Sequence, residues 1–283
     1  MNPKKLRRLK KQIRHQPTPL AQRDYLSRIK AYYQDFGEYP AIKGLLSNII
    51  LADRILNTGK LPQQLPLLQL PDDIQDVIFQ HINATYPAGD PTGDQLWNHL
   101  TDLLPQLDHD LRSFRDYLEN HYGMWAYTSE PFVNDLAEFV GDRSVLEVMA
   151  GNGYISKGLR DAGKTVYATD SRSWTAENET GRHTLTPIES LTALEAFEKY
   201  QSDVGVVVMS WSPDGVPVDW ELLQAIRASA ADVDLVVIGE KDGATDSADF
   251  WQHADLLDNP TVHQLNRHFT PIDLVHDHVY LVR

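Results

Sequence analysis

Two glycines and two acids between residues 145 and 170 carry the strongest chemical signal in this chain. Gly151 and Gly153 form a Gly-x-Gly pair directly after a short apolar run, Val145 to Val148, and Glu147 is embedded in that run. Glycines at such a point let backbone amides approach a ligand closely, because no Cβ intervenes. A second β-branched run, 165–169, ends in Asp170, seventeen positions after Gly153. A carboxylate at that strand tip lies beside the glycine turn and can accept both hydroxyls of a ribose. The chemistry implied is the capture of a nucleoside-bearing ligand.

The elements that must position these residues follow from the spacing. Ile155 and Leu159 lie one helical turn apart on an inward face, while Ser156, Lys157, Arg160 and Asp161 point to water. Gly163 suits the left-handed position that stops such a helix. Strand, glycine turn, helix, strand and acid together make the first βαβ unit of a nucleotide-binding α/β sheet. A dinucleotide fingerprint would carry a third glycine where this chain has Ser156. An acid inside the first strand is also unneeded for a pyrophosphate, yet it suits a ligand carrying an ammonium group.

This stretch resembles motif I of the class I, Rossmann-like S-adenosylmethionine-dependent methyltransferases, E/D-x-G-x-G-x-G. The matching residues are Glu147, Met149, Ala150, Gly151, Asn152 and Gly153, with Met149 replacing the first glycine and narrowing the space beneath the ligand. The resemblance implies S-adenosyl-L-methionine as cofactor, bound over the carboxyl ends of the strands. It assigns the Met149–Tyr154 loop to the ligand, Asp170 with Ser171 to the ribose, and Glu189 to the adenine edge. Glu147 would order the loop or face the methionine amino group. Ser210-Trp211-Ser212-Pro213 stands where amino-methylating members carry D/N-P-P-Y/F/W, so Ser210 would border the cofactor pocket and Trp211 would stack on a substrate or form a wall of that pocket. Tyr127 and Thr128, in the segment before the first helix of the sheet, would donate to the methionine carboxylate. No catalytic residue is singled out.

Along the chain, 20–122 reads as helical, with apolar residues at helical spacing in 21–36, 41–57, 72–83 and 94–120. A proline-punctuated loop covers 61–71. From 123 on, strands alternate with helices: after the organising unit, strands are expected at 184–188, 203–210 and 233–238. Two more are expected at 261–265 and 274–282, joined too closely for a crossover and therefore antiparallel. The expected architecture is α/β: five parallel strands plus a C-terminal antiparallel hairpin, residues 123–283, preceded by an all-helical domain, 1–122. The methyltransferase resemblance covers the second part only.

Composition bounds the partners. The 283 residues include no cysteine, which excludes disulfides, thiolate nucleophiles and thiolate metal sites. His276 and His278 share one side of a strand without a guaranteed third ligand, so no metal is expected. No apolar run reaches the ~18 residues of a membrane span, and the basic start lacks the apolar core of a secretory signal, so a cytoplasmic protein is expected. Net charge is −14. Residues 1–43 hold 11 of the 26 basic residues and 3 of the 40 acidic ones, leaving 15 against 37 in the body, a net −22. Such a body repels phosphate backbones. The arm Lys4–Lys11 could recruit RNA, but docking on the acidic body is the plainer reading. The expected activity is methyl transfer to a small-molecule or protein acceptor. The rivals are a non-catalytic cofactor-binding or protein-interaction module and, less favoured, an NAD-dependent oxidoreductase.

Overall fold

The computed structural model describes residues 24–173 and 184–283. The basic arm, Lys4 to Arg23, lies outside the described residues. The chain divides into two units, one holding residues up to Ile50 together with Leu70–Leu111, the other Leu51–Gln69 with Arg112–Arg283.

The first unit is helical: α1 (Tyr25–Asp35), the first part of α2 (Pro40–Leu56), α3 (Ile74–Thr85) and α4 (Pro91–Arg112). Ile29, Tyr32, Ile78, Ile82, Leu104 and Leu107 recur at turns of their helices and are buried. Asp110 is buried there too, and is satisfied by the Arg28 guanidinium at 2.8 and 2.9 Å and the Tyr32 hydroxyl at 3.0 Å.

The second unit begins with α5 (Phe114–Tyr122) and α6 (Glu130–Val140). The sheet elements follow in the order β1 (Val145–Val148), α7 (Tyr154–Asp161), β2 (Val166–Asp170), β3 (Glu189–Ser190), α8 (Ala193–Tyr200), β4 (Val206–Ser210), α9 (Val218–Ala228) and β5 (Asp234–Gly239). The chain closes with α10 (Ala248–His253), α11 (Pro260–Leu265) and β6 (His278–Val282). The strands form one sheet in the order β3-β2-β1-β4-β5-β6, parallel except for β6, which runs antiparallel to β5 with Val236 opposite Leu281. Strand residues alternate between faces. Leu146, Val148, Val207, Met209, Leu235 and Val237 pack on residues of α8, α9 and α10. The opposite face carries α7, and α6 contacts both α7 and α11. This three-layer, mostly parallel sheet with an antiparallel C-terminal pair is the arrangement of the Rossmann-like methyltransferase fold.

Two expected strands differ. Residues 261–265 form a helix rather than the first strand of a hairpin, so the sheet has six strands and β6 alone supplies the antiparallel edge. The reason is local: the Asn259 side chain accepts the Val262 N–H at 3.1 Å, and Pro260 occupies the first helical turn, where its missing N–H costs nothing. The third strand is not 184–188 but the two residues Glu189–Ser190, paired to Thr169 and Asp170. Pro187 cannot donate to a ladder, and Thr186 and Ile188 are instead pressed over Gly153.

Gly153 is a packing requirement. It has φ +82°, and a Cβ there would meet Thr186 Cγ2 at 2.8 Å and Ile188 Cδ1 at 3.0 Å. Gly153→Val combines left-handed strain with overpacking and should destabilise the chain by about 2–4 kcal/mol. Chemical denaturation checks this: an unchanged midpoint would mean that the 185–188 segment yields without cost.

Candidate functional site

The carboxyl ends of β1, β2 and β4 lie side by side, because β1 pairs with both β2 and β4. Each of these strands is followed closely by a non-glycine residue at positive φ: Met149 (+53°), Arg172 (+58°) and Trp211 (+50°). Such a conformation costs an L-residue roughly 1–2 kcal/mol, and its repetition at these strand ends sets this edge of the sheet apart.

Glycine-loop geometry centres on Gly151. Its N–H donates to Asp170 Oδ2 at 2.8 Å, and its carbonyl accepts from Arg172 Nη1 at 3.1 Å. The other Asp170 oxygen accepts the Arg172 N–H at 2.6 Å. Gly151 has φ +57°, and only the Trp125 ring, at 3.9 Å, comes near the place a Cβ would take. The turn is therefore open to a ligand on the side where a side chain would otherwise stand. A carboxylate oxygen can accept more than one hydrogen bond, which is the chemistry ribose hydroxyls require.

The neighbouring residues are mostly occupied in building this loop. Asn152 is buried and donates to the Gly123 carbonyl at 3.0 Å, and the Tyr154 hydroxyl donates to the Tyr122 carbonyl at 2.8 Å. Ala150 N–H donates to Thr169 O at 3.0 Å. The Met149 side chain packs against the apolar cluster under α8–α10. Glu147 is fully buried on the α7 face and accepts the Ser156 hydroxyl. Burial pushes its carboxyl up to about 7, against the pull of that hydrogen bond. It fastens α7 to β1.

The remaining residues named from sequence separate into two groups. Asp170, Ser210 and Trp211 stand at the strand ends, Ser210 buried and the Trp211 indole N–H donating to Asp277 at 3.1 Å. Ser171 is exposed, with its hydroxyl 3.0 Å from that of Ser173. Glu189 is exposed and already engaged by Lys199 Nζ and the Tyr200 hydroxyl, each at 2.6 Å, which lowers its pKa. Tyr127 and Thr128 are buried, Tyr127 donating to the Gln63 carbonyl and Thr128 to Ala126 O. Within that same segment it is Trp125, 42% exposed, that reaches Gly151.

Arg115 was not visible as a site residue in the sequence, yet it joins three loops. Its guanidinium binds Asp273 at 2.6 and 3.1 Å and Asp277 at 3.1 Å, and reaches the Trp125 carbonyl at 3.4 Å. Through Asp277 it is coupled to Trp211. Asp277 is nonetheless held above the usual carboxylate range, because burial outweighs the guanidinium.

Comparisons with known proteins give similarity of shape only. No family model matches the chain, and no curated protein matches it. Among solved structures, the CcbJ methyltransferase from Streptomyces caelestis is 16% identical over 44% of this chain and 56% of that one, with a TM-score of 0.26. The bifunctional kinase-methyltransferase WbdD is 14% identical over 72% of this chain and 45% of its own length, with a TM-score of 0.30. The plantazolicin methyltransferase BpumL, solved with SAH, is 8% identical over 83% and 99%, with a TM-score of 0.33. The chain thus spans about half the length of the first of these structures. At such values the fold assignment rests on this chain's own strand order.

Proposed function

We propose that the chain transfers the sulfonium methyl of S-adenosyl-L-methionine to a small-molecule or protein acceptor. The observation that carries this reading is the Gly151–Asp170 contact on a sheet whose last strand is antiparallel. A glycine turn open on its Cβ side, a strand-two carboxylate and the Trp125 ring beside them fit an adenosyl ligand. Asp170, with Arg172 behind it, would hold the ribose, and the Gly151–Asn152 turn would face the amino-acid portion. The bound cofactor supplies the electrophilic methyl, and the protein's contribution is alignment of the acceptor against it.

An NAD-dependent oxidoreductase is less favoured, because Ser156 replaces the third glycine and β6 runs antiparallel. A non-catalytic binding module is favoured by the weak post-β4 motif, Ser210–Pro213. Among the described residues no helix is long and apolar enough to cross a membrane, and no group of three or more His, Asp or Glu side chains could hold a metal ion. A cytoplasmic location and an acceptor other than nucleic acid agree with the cysteine-free, acidic body.

Calorimetric titration with S-adenosylhomocysteine tests the reading. Binding in the micromolar range or tighter, with no comparable affinity for NAD, is expected. Absence of S-adenosylhomocysteine binding would overturn the proposal.

A further inference from the structure

We propose that Ser212 and Asp246, on the loops that follow β4 and β5, form a subsite for an amine group on the methyl acceptor. The proposal rests on the methyl-transfer reading and names its acceptor class.

Both residues are buried, Asp246 only 2% exposed. The Ser212 hydroxyl oxygen and both Asp246 carboxylate oxygens lack a hydrogen-bond partner. Their loops are tied together, since Asp246 N–H donates to Ser212 O at 2.8 Å and Pro213 bridges to Thr245. The carboxylate occupies room left by Gly239 at the end of β5, where a Cβ would lie 2.6 Å from Asp246 Oδ2. The Thr245 hydroxyl accepts the Glu240 N–H at 2.7 Å and keeps its own proton, which lowers the Asp246 pKa against the rise from burial.

The contrast with Asp219 is informative. That residue is equally buried at the start of α9, but it accepts from the Ser247 N–H and hydroxyl and from the Trp220 N–H. One acid of this pair is saturated with donors, while the other has no partner at hydrogen-bond geometry. A buried carboxylate without donors is costly, and a second acid alongside raises the cost. The group that relieves this arrangement brings N–H donors and positive charge. An ammonium supplies both, with three donors available for the Asp246 oxygens and Ser212 Oγ. A phosphate or carboxylate ligand would bring acceptors to acceptors and meet repulsion from both acids.

Placement agrees with this role. β4 lies between β1 and β5 in register, so the subsite is on the same edge of the sheet as Gly151. Two strand spacings separate them, about 10 Å, a span that an acceptor lying over β4 covers. In the transfer, the bound ammonium first gives one proton to the Asp246 carboxylate, the freed nitrogen lone pair forms the new N–C bond, and the pair of the breaking C–S bond stays on sulfur. The product leaves as the methylammonium, and Asp246 returns its proton to solvent.

The test is a set of equilibrium titrations of the full chain, with saturating S-adenosylhomocysteine, using phenethylamine and phenethyl alcohol as probes. The wild type is expected to bind the amine at least tenfold more tightly than the alcohol. Asp246→Asn and Ser212→Ala should each lose most of that preference while S-adenosylhomocysteine affinity is unchanged. Asn is close to isosteric, and Ser212→Ala gives a second variant should Asp246→Asn fail to fold. Equal affinity for the two probes, binding of neither, or an undiminished preference in both variants would overturn the proposal and leave an internal water as the partner of these groups. Repeating the titrations without S-adenosylhomocysteine separates the two readings. An amine preference lost in the variants, in a chain that never binds S-adenosylhomocysteine, would sink methyl transfer and leave the subsite standing.

Discussion

Asp170→Ala is expected to weaken S-adenosylhomocysteine binding by about 1.5–3 kcal/mol, roughly 10- to 150-fold in Kd, the range of charge-assisted hydrogen bonds. The side chain has two jobs in the structure. It accepts the Gly151 and Arg172 amides, and on the proposed reading it also accepts the ribose hydroxyls. Asp170→Asn separates these, because it keeps one good acceptor and should fall between wild type and alanine. Isothermal calorimetry on the three proteins gives the answer. An alanine variant with wild-type affinity would show that the ribose lies elsewhere.

The second large effect is on stability as a function of pH. Burial raises both Glu147 and Asp246 to about 7 in the folded chain, against ordinary values of 4.5 and 3.8. A raised acid binds its proton more firmly in the folded than in the unfolded state. Its contribution is therefore complete below pH ~4 and is lost as pH rises towards 7, after which it stays flat. The loss is on the order of a few kcal/mol for each group. Urea melts of wild type, Glu147→Gln and Asp246→Asn at pH 5 and pH 8 isolate it. The wild type should lose more stability between the two pH values than either variant. Equal slopes in all three would mean that these carboxyls are hydrated.

The βαβ unit was legible because each of its signals is local: apolar run, Gly-x-Gly, helical spacing and a terminal acid. The antiparallel end was expected from a hairpin that is not there: 261–265 is a helix, and β6 runs antiparallel to β5 instead. Asn259-Pro260 carries that helix start in plain view, but the apolar spacing of Val262 and Leu265 over so few residues does not distinguish helix from strand. Glu189, beyond the short segment pressed over Gly153, takes its partners from the helix that follows it. Trp125, Arg172 and Arg115 have no signal in the sequence. Each acquires its position from chain segments far away, and which residue of 122–129 turns towards Gly151 depends on the buried anchors Asn152 and Tyr154. Met149 shows the opposite case. Its departure from the glycine pattern is obvious in sequence, and only packing reveals that a partly buried thioether can help offset roughly 1–2 kcal/mol of backbone strain.

The double grip on Gly151, amide to Asp170 and carbonyl to Arg172, has a kinetic consequence. A glycine is ordinarily the most mobile residue of a turn, and ordering it on ligand capture would consume roughly 1–2 kcal/mol of affinity. Here that disorder is removed during folding, so a ligand meets a recognition surface already in its final shape. Association should then be a single concentration-dependent phase in stopped-flow traces of tryptophan emission, with Trp125 as the adjacent reporter and no slower isomerisation behind it.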